Sequence, residues 1–400
     1  MVFWGPENRQ VVRNRIFERT GMEDRPVYLD YNATTPVDPE VVDAMMPWFR
    51  ERFGNPSSGH FFGWEAQEQV EAARTEMAVL IGAKADEIVF TGSATEANNL
   101  AILGSTRAMR GEKRSLVTSV VEHPSVLQPF LRRKEEGWRL ILLPVDSFGR
   151  VDLREAESII GKDTALVSVM LANNETGTIQ PVREIAGIAH SCGALFHVDA
   201  AQAIGKIPVD VEALGADLLT LAGHKFYAPK GIGVLYVREG TSLSPLMSGA
   251  GHERGLRPGT ENVPYIAALG TAARLVRENL REESARIQRL RERLHGTLSA
   301  AIDGLRLNGP SNDRLPNTLN LSFPHVKGWE LLAAVPGIAA STGSACHWGI
   351  HKASPVLLAM QRDETRALGA VRLSLGRFTD EAEVDFAASA LISTWHRLSS

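Results

Sequence analysis

The chain has 400 residues, of which 44% are hydrophobic and 22% are charged, and its formal net charge is −4. These values are typical of a globular protein with one large domain and a smaller one, and they exclude a generally basic surface for nucleic acid. No run of about 20 apolar residues is present, so we expect no membrane span. With only two cysteines, Cys192 and Cys346, the fold does not depend on disulfides. We therefore expect a reducing compartment, the cytoplasm.

The first part of the chain is predicted to alternate between strands and helices. Residues 1–27 are polar, and we expect them to form an N-terminal extension that packs on the smaller domain. The strands that we predict next are residues 87–90, 116–121, 140–145, 165–170, 195–198, 218–222 and 231–237, and two of the helices are residues 65–80 and 182–190. This alternation favours an α/β fold with a mostly parallel, doubly wound sheet. The last strand follows Lys225 closely enough to be a hairpin return.

A second domain is predicted after a change of composition near residue 249. Residues 249–259 are rich in glycine and charge and predict a loop, and apolar residues at helical spacing over 276–298 predict a long amphipathic helix. A strand at 318–323, a helix near Glu330, a strand at 371–375 and a helix from Asp380 give an α+β pattern. We expect a large domain at residues 28–268 and a small domain at residues 269–400.

Polar side chains follow four of the predicted strands at the point where each strand ends. Residues 91–95 place hydroxyls and backbone N–H groups at a helix start, which favours an anion, although a simple helix cap explains them equally well. His123, Asp199 and Lys225 follow three other strands, and Gln202 lies one helical turn after Asp199. Taken alone, His123 could be a structural loop histidine and Lys225 a surface lysine. In an open α/β sheet, however, functional side chains collect at the carboxyl ends of the strands.

This combination meets the chemical needs of pyridoxal 5′-phosphate. That cofactor requires a lysine for a Schiff base, a carboxylate at its pyridine nitrogen, a phosphate cup and a group that stacks on its ring. Lys225 could form the Schiff base, and Asp199 could hold a proton on the ring nitrogen. No single motif is specific, but the set of them at the strand ends of one sheet is.

Cys346 lies in a segment of small residues, 341–347, that predicts a flexible loop. A free cysteine is more often buried in a core than nucleophilic, and that interpretation fits Cys192. Cys346 differs because His347, His351 and Lys352 flank it. Nearby cations favour the thiolate form of a cysteine, so we expect Cys346 to be a nucleophile.

Ten short motifs occur in order along the chain, at residues 28–36, 53–58, 94–96, 122–123, 173–175, 197–202, 223–225, 257–260, 343–346 and 372–377. Together they resemble the cysteine desulfurases and selenocysteine lyases, in the class V aminotransferase group of fold-type I pyridoxal phosphate enzymes. The resemblance runs from about Tyr28 almost to the end of the chain. It implies a large domain with a sheet of seven strands and a smaller α+β domain that carries the catalytic-cysteine loop.

The resemblance implies a role for each matching residue. Lys225 would form the Schiff base, Cys346 would receive the sulfur, and His123 would stack on the cofactor ring and transfer protons. Asp199 would pair with the pyridine nitrogen, and Gln202 would pair with the ring hydroxyl.

The remaining residues implied by the resemblance bind the phosphate and the substrate. Ala94, Thr95 and His224 would hold the phosphate, together with Thr260 of the partner subunit in a homodimer. Asn174 and Arg372 would bind the substrate carboxylate, with Asn32 nearby at the substrate. A bidentate arginine suits a carboxylate. We expect no metal site.

The implied activity is that of a pyridoxal 5′-phosphate-dependent cysteine desulfurase. L-Cysteine would become L-alanine, and the sulfur would remain as a persulfide on Cys346 for an acceptor protein that the sequence does not identify.

The family commonly has serine where this chain has Ala222, so one phosphate contact would be missing. Residues 346–355 resemble the selenocysteine lyase branch, so L-selenocysteine is an alternative substrate. A plain aminotransferase and a catalytically silent sulfur-delivery scaffold are further alternatives.

Overall fold

The computed structural model of the protein describes residues 25–109, 111, 113–343 and 352–399. The expected nucleophile Cys346 and most of the expected N-terminal extension, residues 1–24, lie outside the described residues. Among the described residues, no helix combines the length and the apolar character that a membrane crossing requires.

Strands and helices alternate through most of the described chain. The strands are β1 (Val27–Tyr28), β2 (Ile88–Thr91), β3 (Ser115–Ser119), β4 (Arg139–Leu143), β5 (Thr164–Met170), β6 (Leu195–Asp199), β7 (Leu218–Ala222), β8 (Gly233–Val237), β9 (Arg306–Leu307), β10 (Thr318–Ser322), β11 (Ile338–Ala339) and β12 (Ala370–Ser374). The helices are α1 (Pro39–Met45), α2 (Pro47–Arg50), α3 (Phe61–Ile81), α4 (Ala94–Asn99), α5 (Ser105–Ala108), α6 (Pro124–Glu135), α7 (Leu153–Ile159), α8 (Val182–Ser191), α9 (Val211–Leu214), α10 (Val263–Ala301), α11 (Gly328–Ala333), α12 (Pro355–Ala359), α13 (Glu364–Leu368) and α14 (Glu381–Ser399).

The main sheet has seven strands in the order β2-β8-β7-β6-β5-β3-β4. Neighbouring strands from β7 to β4 are parallel, whereas β8 runs antiparallel to both β2 and β7. The expectation of a mostly parallel, seven-stranded sheet is confirmed. The hairpin return after Lys225 is also confirmed, because β8 pairs antiparallel with β7.

Helices cover both faces of this sheet. Val117 of β3 packs in a large core with residues of α3, α8 and α10, whereas its neighbour Leu116 packs with Phe130 of α6 in a separate cluster. Successive residues of a strand point to opposite faces. Since both of these residues are buried, the sheet is doubly wound, as predicted.

A second core lies around a smaller sheet. β9, β10 and β12 form an antiparallel sheet in which β10 is central, and β1 pairs with β11. Leu29, which follows β1, is buried in this second core together with Leu321 and Leu373. The long helix α10 contributes Ile266 to the first core and Leu294 to the second, so it joins them. The division between residues 268 and 269, which falls inside α10, remains a proposal.

The predicted elements agree closely with the observed ones where the hydrophobic pattern is long. The predicted helix at 65–80 lies within α3, and the strand predicted at 318–323 coincides with β10 to within one residue. The predicted loop at 249–259 contains only one short 3-10 turn, Glu253–Gly255. The strands β1, β9 and β11 are absent from the predicted elements, because each has only two residues and so carries no alternating pattern.

Candidate active site

Lys225 lies in the tight turn that directly follows β7. Gly223–Lys225 form a single 3-10 turn, and the Nζ of Lys225 donates to the carbonyl oxygens of Asn32 at 2.6 Å and Ala33 at 2.8 Å. The backbone N–H of Thr35 in turn donates to the carbonyl oxygen of His224 at 2.9 Å. The segment after β1 therefore packs on the lysine turn and holds the amine at the carboxyl edge of the sheet.

Asp199 is the last residue of β6, and its residue is only 5% exposed. Its Oδ1 accepts from the backbone N–H of Ala201 at 3.0 Å, and its Oδ2 accepts from the Nδ2 of Asn98 at 2.9 Å. A carboxylate has about four acceptor positions. Asp199 therefore retains acceptor capacity for one more donor, such as a protonated ring nitrogen.

His123 caps the amino end of α6, and its geometry follows from the local sequence. Pro124 occupies the first turn of the helix and favours an extended backbone at the residue before it. The Nδ1 of His123 accepts from the backbone N–H of Ser125 at 3.1 Å and lies 2.7 Å from the Oγ of Ser125. Burial lowers the pKa of His123; Asp199 raises it and Lys225 lowers it further.

Gln202 bonds both to Asn32, whose carbonyl oxygen also contacts Lys225, and to the buried amine of Lys206. Its Nε2 donates to the carbonyl oxygen of Asn32 at 2.9 Å, and its Oε1 accepts from the Nζ of Lys206 at 2.7 Å. Burial, and then the charges of Lys225 and Arg372, hold the pKa of Lys206 well below its usual range. Because the Lys206 amine donates to Oε1, the amide of Gln202 is oriented with its nitrogen toward Asn32.

The residues expected to hold a phosphate lie at the start of α4. Ser93 caps this helix, because its Oγ accepts from the backbone N–H of Glu96 at 3.1 Å. Within the described part of the chain, the backbone N–H groups of Ala94 and Thr95 donate to no acceptor. At Gly233, a Cβ would lie 2.5 Å from the carbonyl carbon of Ser93, so only glycine lets β8 approach this turn. The two N–H groups are thus available to an anion.

Two further residues were expected at the phosphate. The Nδ1 of His224 lies 3.1 Å from the Oγ1 of Thr34. Burial lowers the pKa of His224 to about 4, and the charges of Lys225 and Lys230 lower it as well, so this side chain is neutral at pH 7. Thr260 follows the loop before α10 and is exposed in the single chain.

Arg372 of β12 approaches the same edge of the sheet from the second core. Its residue is 1% exposed; its Nη1 donates to the carbonyl oxygen of Asn174 at 3.0 Å and its Nη2 to the Oδ1 of Asp30 at 2.5 Å. The Nε of Arg372 is buried and has no hydrogen-bond partner among the described residues. This guanidinium therefore keeps a donor that a ligand could use.

The structure places the two asparagines expected at the substrate in contact with each other. The Nδ2 of Asn32 donates to the carbonyl oxygen of Asn174 at 3.1 Å and to the Oγ1 of Thr318 at 2.8 Å. The Oδ1 of Asn32 accepts from the Nδ2 of Asn317 at 3.0 Å. The carboxamide of Asn32 thus connects the two cores, and its backbone carbonyl oxygen accepts a hydrogen bond from the Lys225 amine.

The segment that carries Cys346 is flanked by residues that contact the site. Ser341 bridges to Arg372, whose backbone N–H donates to the Ser341 carbonyl oxygen at 2.6 Å. Beyond the segment, the Oγ of Ser354 donates to the Oε2 of Glu175 at 2.5 Å, and Glu175 follows Asn174 in the chain. Cys346 itself lies outside the described residues.

The structure thus brings Lys225, Asp199, His123 and Gln202 together, with Arg372 opposite them. It also adds polar residues that contact these side chains and that the sequence analysis did not single out. Asp30 lies inside one of the ten motifs. Asn98 contacts residues 27 and 101 positions away, whereas Ser125 and Lys206 lie only two and four residues from their partners His123 and Gln202. The added residues are Asp30, Asn98, Ser125 and Lys206. No cluster of His, Cys, Asp and Glu side chains that could hold a metal ion occurs within the described ranges.

The sequence matches the family model described as Aminotransferase class-V over residues 27–386. It is 47% identical over 365 residues to the protein named Cysteine desulfurase IscS from Anaeromyxobacter dehalogenans (strain 2CP-C), and the match covers 90% of each chain. The chain belongs to the class-V aminotransferase family. Within it, the chain is a member of the cysteine desulfurase family, as a 44% identity over 377 residues to the Cysteine desulfurase of Mus musculus also indicates, covering 94% of this chain and 82% of that one.

Solved structures agree with this membership. A structure titled NifS-like protein superposes with a TM-score of 0.88 at 39% identity, over 93% of this chain and 100% of that chain. The apo structure of the cysteine desulfurase from Thermococcus onnurineus NA1 gives a TM-score of 0.81 at 28% identity, over 93% of this chain and 95% of that one. The resemblance read from the motifs is confirmed.

Proposed function

We propose that this cysteine desulfurase family member binds pyridoxal 5′-phosphate, converts L-cysteine to L-alanine and leaves the sulfur as a persulfide on Cys346. One observation carries the proposal. Lys225, Asp199 and His123 follow three separate strands yet meet at one edge of the sheet, where Arg372 approaches from the second core. A lysine, a buried carboxylate, an imidazole and a guanidinium are together what this cofactor and an α-amino acid require.

The side chains present fit the cofactor. The spare acceptor positions of Asp199 suit a protonated pyridine nitrogen, and the N–H groups of Ala94 and Thr95 suit a phosphate. The amide of Gln202, whose orientation Lys206 fixes, can donate to a ring oxygen. When bound, the cofactor supplies an electron sink for the bonds broken at the substrate.

The chain's own residues then bind the substrate and move its protons. The buried Nε of Arg372 and the neighbouring Asn174 suit the substrate carboxylate, because a buried guanidinium gains from a charged acceptor. Lys225 is the base for the Cα proton, since its amine lies at the end of the sheet where the substrate would bind. In this proposal, the phosphate site is completed by His224 of the same chain and by Thr260 of the partner subunit.

Sulfur transfer needs no outside oxidant or reductant. The Cys346 thiolate attacks the substrate sulfur, so an S–S bond forms while the Cβ–S bond breaks and its electron pair goes to carbon. Carbon takes up a proton, and the products are alanine and a persulfide on Cys346. The contacts of Ser341 and Ser354 with the site support this role, as they hold both flanks of the cysteine segment beside Arg372 and Glu175. The need for a reduced thiol supports a cytoplasmic location.

The test is to measure alanine released from L-cysteine and from L-selenocysteine by the native protein and by Cys346→Ser. We expect alanine from L-cysteine, and we expect Cys346→Ser to lose it while retaining the visible absorbance of the bound cofactor. Alanine from L-selenocysteine alone would instead assign a selenocysteine lyase. A keto acid in place of alanine would assign an aminotransferase. If no cofactor absorbance appears after pyridoxal 5′-phosphate is added, the remaining alternative is a catalytically silent sulfur-delivery scaffold.

We also propose a homodimer, since one surface of the single chain carries four exposed aromatic side chains. Phe53, Phe61, Phe62 and Trp64 are 69%, 65%, 45% and 61% exposed, and the rings of Phe53 and Phe62 stack at 5.5 Å. Trp64 and Glu261, the residue after Thr260, line one cavity of about 360 Å³. Exposed apolar patches of this kind mark interfaces. A second copy of the chain that covers this patch would lie beside Thr260.

The dimer is tested by sedimentation of the native protein and of Trp64→Glu, with the exposed apolar side chain of Leu358 replaced by Glu as the control. We expect the native protein and the control to sediment as dimers. Trp64→Glu should become monomeric and bind the cofactor more weakly. A native protein that sediments as a monomer with full cofactor affinity would contradict both the dimer and the shared Thr260.

A further inference from the structure

We propose that Ser125, oriented by Asn98, is a positioning residue that fixes the proton of neutral His123 on Nε2, so that His123 presents an N–H donor rather than a base at that nitrogen. The inference rests on the proposed function only where it concerns the reaction. The hydrogen bonds that carry it are independent of the cofactor. They run from Asp199 through Asn98 and Ser125 to the imidazole.

The direction of this chain of hydrogen bonds is set at Asp199. An ionised carboxylate only accepts hydrogen bonds, so the Asn98 atom 2.9 Å from the Asp199 Oδ2 must be the amide nitrogen. The second N–H of the same nitrogen then points to the Oγ of Ser125, also at 2.9 Å. The Oδ1 of Asn98 is left buried without a partner among the described residues. The opposite orientation would put that oxygen against the carboxylate, which is worse.

The next step follows from the chemistry of a hydroxyl. Because the Ser125 Oγ accepts from Asn98, its own hydrogen is free to donate, and the Nδ1 of His123 lies 2.7 Å away. The backbone N–H of Ser125 also donates to that nitrogen, at 3.1 Å. A backbone N–H cannot act as an acceptor. Nδ1 must therefore be the unprotonated nitrogen, and in the neutral ring the proton is on Nε2.

A second proton on His123 is disfavoured for the same reason. It would have to sit on Nδ1, where two donors from Ser125 already point. Burial lowers the pKa of His123. The charged groups that face this ring are Asp199 from β6, which raises that pKa, and Lys225 from the turn after β7, which lowers it. The hydrogen-bond geometry and burial thus act together, and they keep the imidazole neutral at neutral pH.

This arrangement assigns the proton steps of the proposed reaction. A neutral ring with its proton on Nε2 cannot accept a proton at that nitrogen, so the removal of the substrate's Cα proton falls to Lys225 alone. His123 contributes an N–H that can stabilise negative charge, such as that of a substrate thiolate. Loss of the Ser125 hydroxyl removes one of the two donors to Nδ1 and lets the proton move there.

The experiment is NMR of full-length protein with its cofactor, labelled with ¹⁵N in the imidazole rings, as a function of pH and without substrate. The chain has 11 histidines, so the His123 signals are assigned by their loss in His123→Gln. The variants are Ser125→Ala and, as conservative rescue, Ser125→Thr. Ser105→Ala is the matched control, because Ser105 is also a buried serine, and its hydroxyl donates to the Ile102 carbonyl oxygen at 3.2 Å.

We expect the native protein to show the Nε2–H form at pH 7. In Ser125→Ala, His123 should titrate about one pH unit higher and show a visible fraction of the Nδ1–H form. In Ser125→Thr and Ser105→Ala, His123 should titrate as in the native protein. The low-pH limb of kcat/KM for alanine release should move by the same amount in Ser125→Ala, and the loss should approach about tenfold only at a pH below the pKa of native His123. A native Nδ1–H form, or a Ser125→Ala titration that does not move, would overturn the inference.

The two proposals fail differently. If no variant releases alanine but the His123 titration moves in Ser125→Ala as expected, the proposed function is wrong and the inference on His123 stands. If alanine forms but His123 titrates in Ser125→Ala as it does in the native protein, the proposed function stands and the inference on His123 is wrong.

Discussion

The two faces of the candidate site differ in the kind of group that each leaves for a ligand. On the large-domain face, formed by Asp199, His123, Gln202 and Lys225, every one of these side chains has two hydrogen bonds to neighbouring residues, and Asp199 keeps acceptor positions. On the small-domain face, Arg372 also makes two side-chain hydrogen bonds, but its buried Nε has no partner among the described residues. The first face thus offers an acceptor to a ligand, whereas the second offers a buried donor.

The difference follows from how each face is built. The large-domain side chains follow parallel strands of one sheet, so the sheet fixes their spacing without any ligand. The small-domain face joins segments from opposite ends of the chain, Asp30 and Arg372, which meet through an ion pair of 2.5 Å. The side chain of Arg372 is 2% exposed and that of Asp30 is 18% exposed. A buried pair of this kind is costly to break by removing one partner.

The largest expected effect comes from removing the amine of the large-domain face. Lys225→Ala should lower alanine release by at least about 10²- to 10⁴-fold, because it removes both the covalent attachment and the base. The visible absorbance of the bound cofactor should also change, since that band depends on the bond to Lys225. Lys134→Ala, which removes an exposed lysine at the end of α6, is the control. Retained activity in Lys225→Ala would contradict the assignment of this face.

The second prediction concerns the stability of the strands beneath the large-domain face. His197 of β6 is fully buried between the hydroxyls of Ser168 and Thr220, at 2.7 and 3.1 Å, and burial lowers its pKa from 6.5 to about 4. The folded pKa is below the unfolded one, so this stability is complete above pH 6.5 and is lost as the pH falls towards 4. The loss should reach about 3 kcal/mol at most.

The measurement is urea unfolding between pH 7.5 and pH 4, comparing the native protein with His197→Gln and with the exposed His60→Gln as control. The pH dependence should be flatter in His197→Gln and unchanged in His60→Gln. Identical slopes in all three proteins would show that the large-domain face does not depend on a neutral His197.

Much of the large-domain face could be predicted from the sequence, and much of the small-domain face could not. Asp199 ends one apolar strand and Lys225 closely follows another, so the pattern alone predicts both at one edge of the sheet. The ion pair between Asp30 and Arg372 joins residues 342 positions apart in the sequence, so it depends on packing. Asn98 and Ser125 have the same limitation: they look like ordinary helix residues until the fold brings them between Asp199 and His123.

The third prediction separates the two faces directly. Arg372→Lys keeps a positive charge but loses the planar set of donors, so the KM for L-cysteine should rise about tenfold to a hundredfold. The cofactor absorbance should stay that of the native protein, because the large-domain face is untouched. Arg366→Lys is the matched control, since the guanidinium of Arg366 donates to Asn308 and Leu307, away from the site. A change in cofactor binding with an unchanged KM would reverse the roles of the faces.

The smallest expected effect tests whether the large-domain face is fully complementary to the cofactor. Ala222 ends β7, is 1% exposed and lies opposite Gly233, which packs against the turn at Ser93. Ala222→Ser would add a donor beside the N–H groups of that turn, so the Kd for pyridoxal 5′-phosphate should fall about three- to tenfold. Ala222→Cys is the control, because it adds similar volume with only a weak donor. Equal affinities in the two variants would attribute any gain to packing. A weaker affinity in Ala222→Ser would show that the turn already satisfies the phosphate without help from this position.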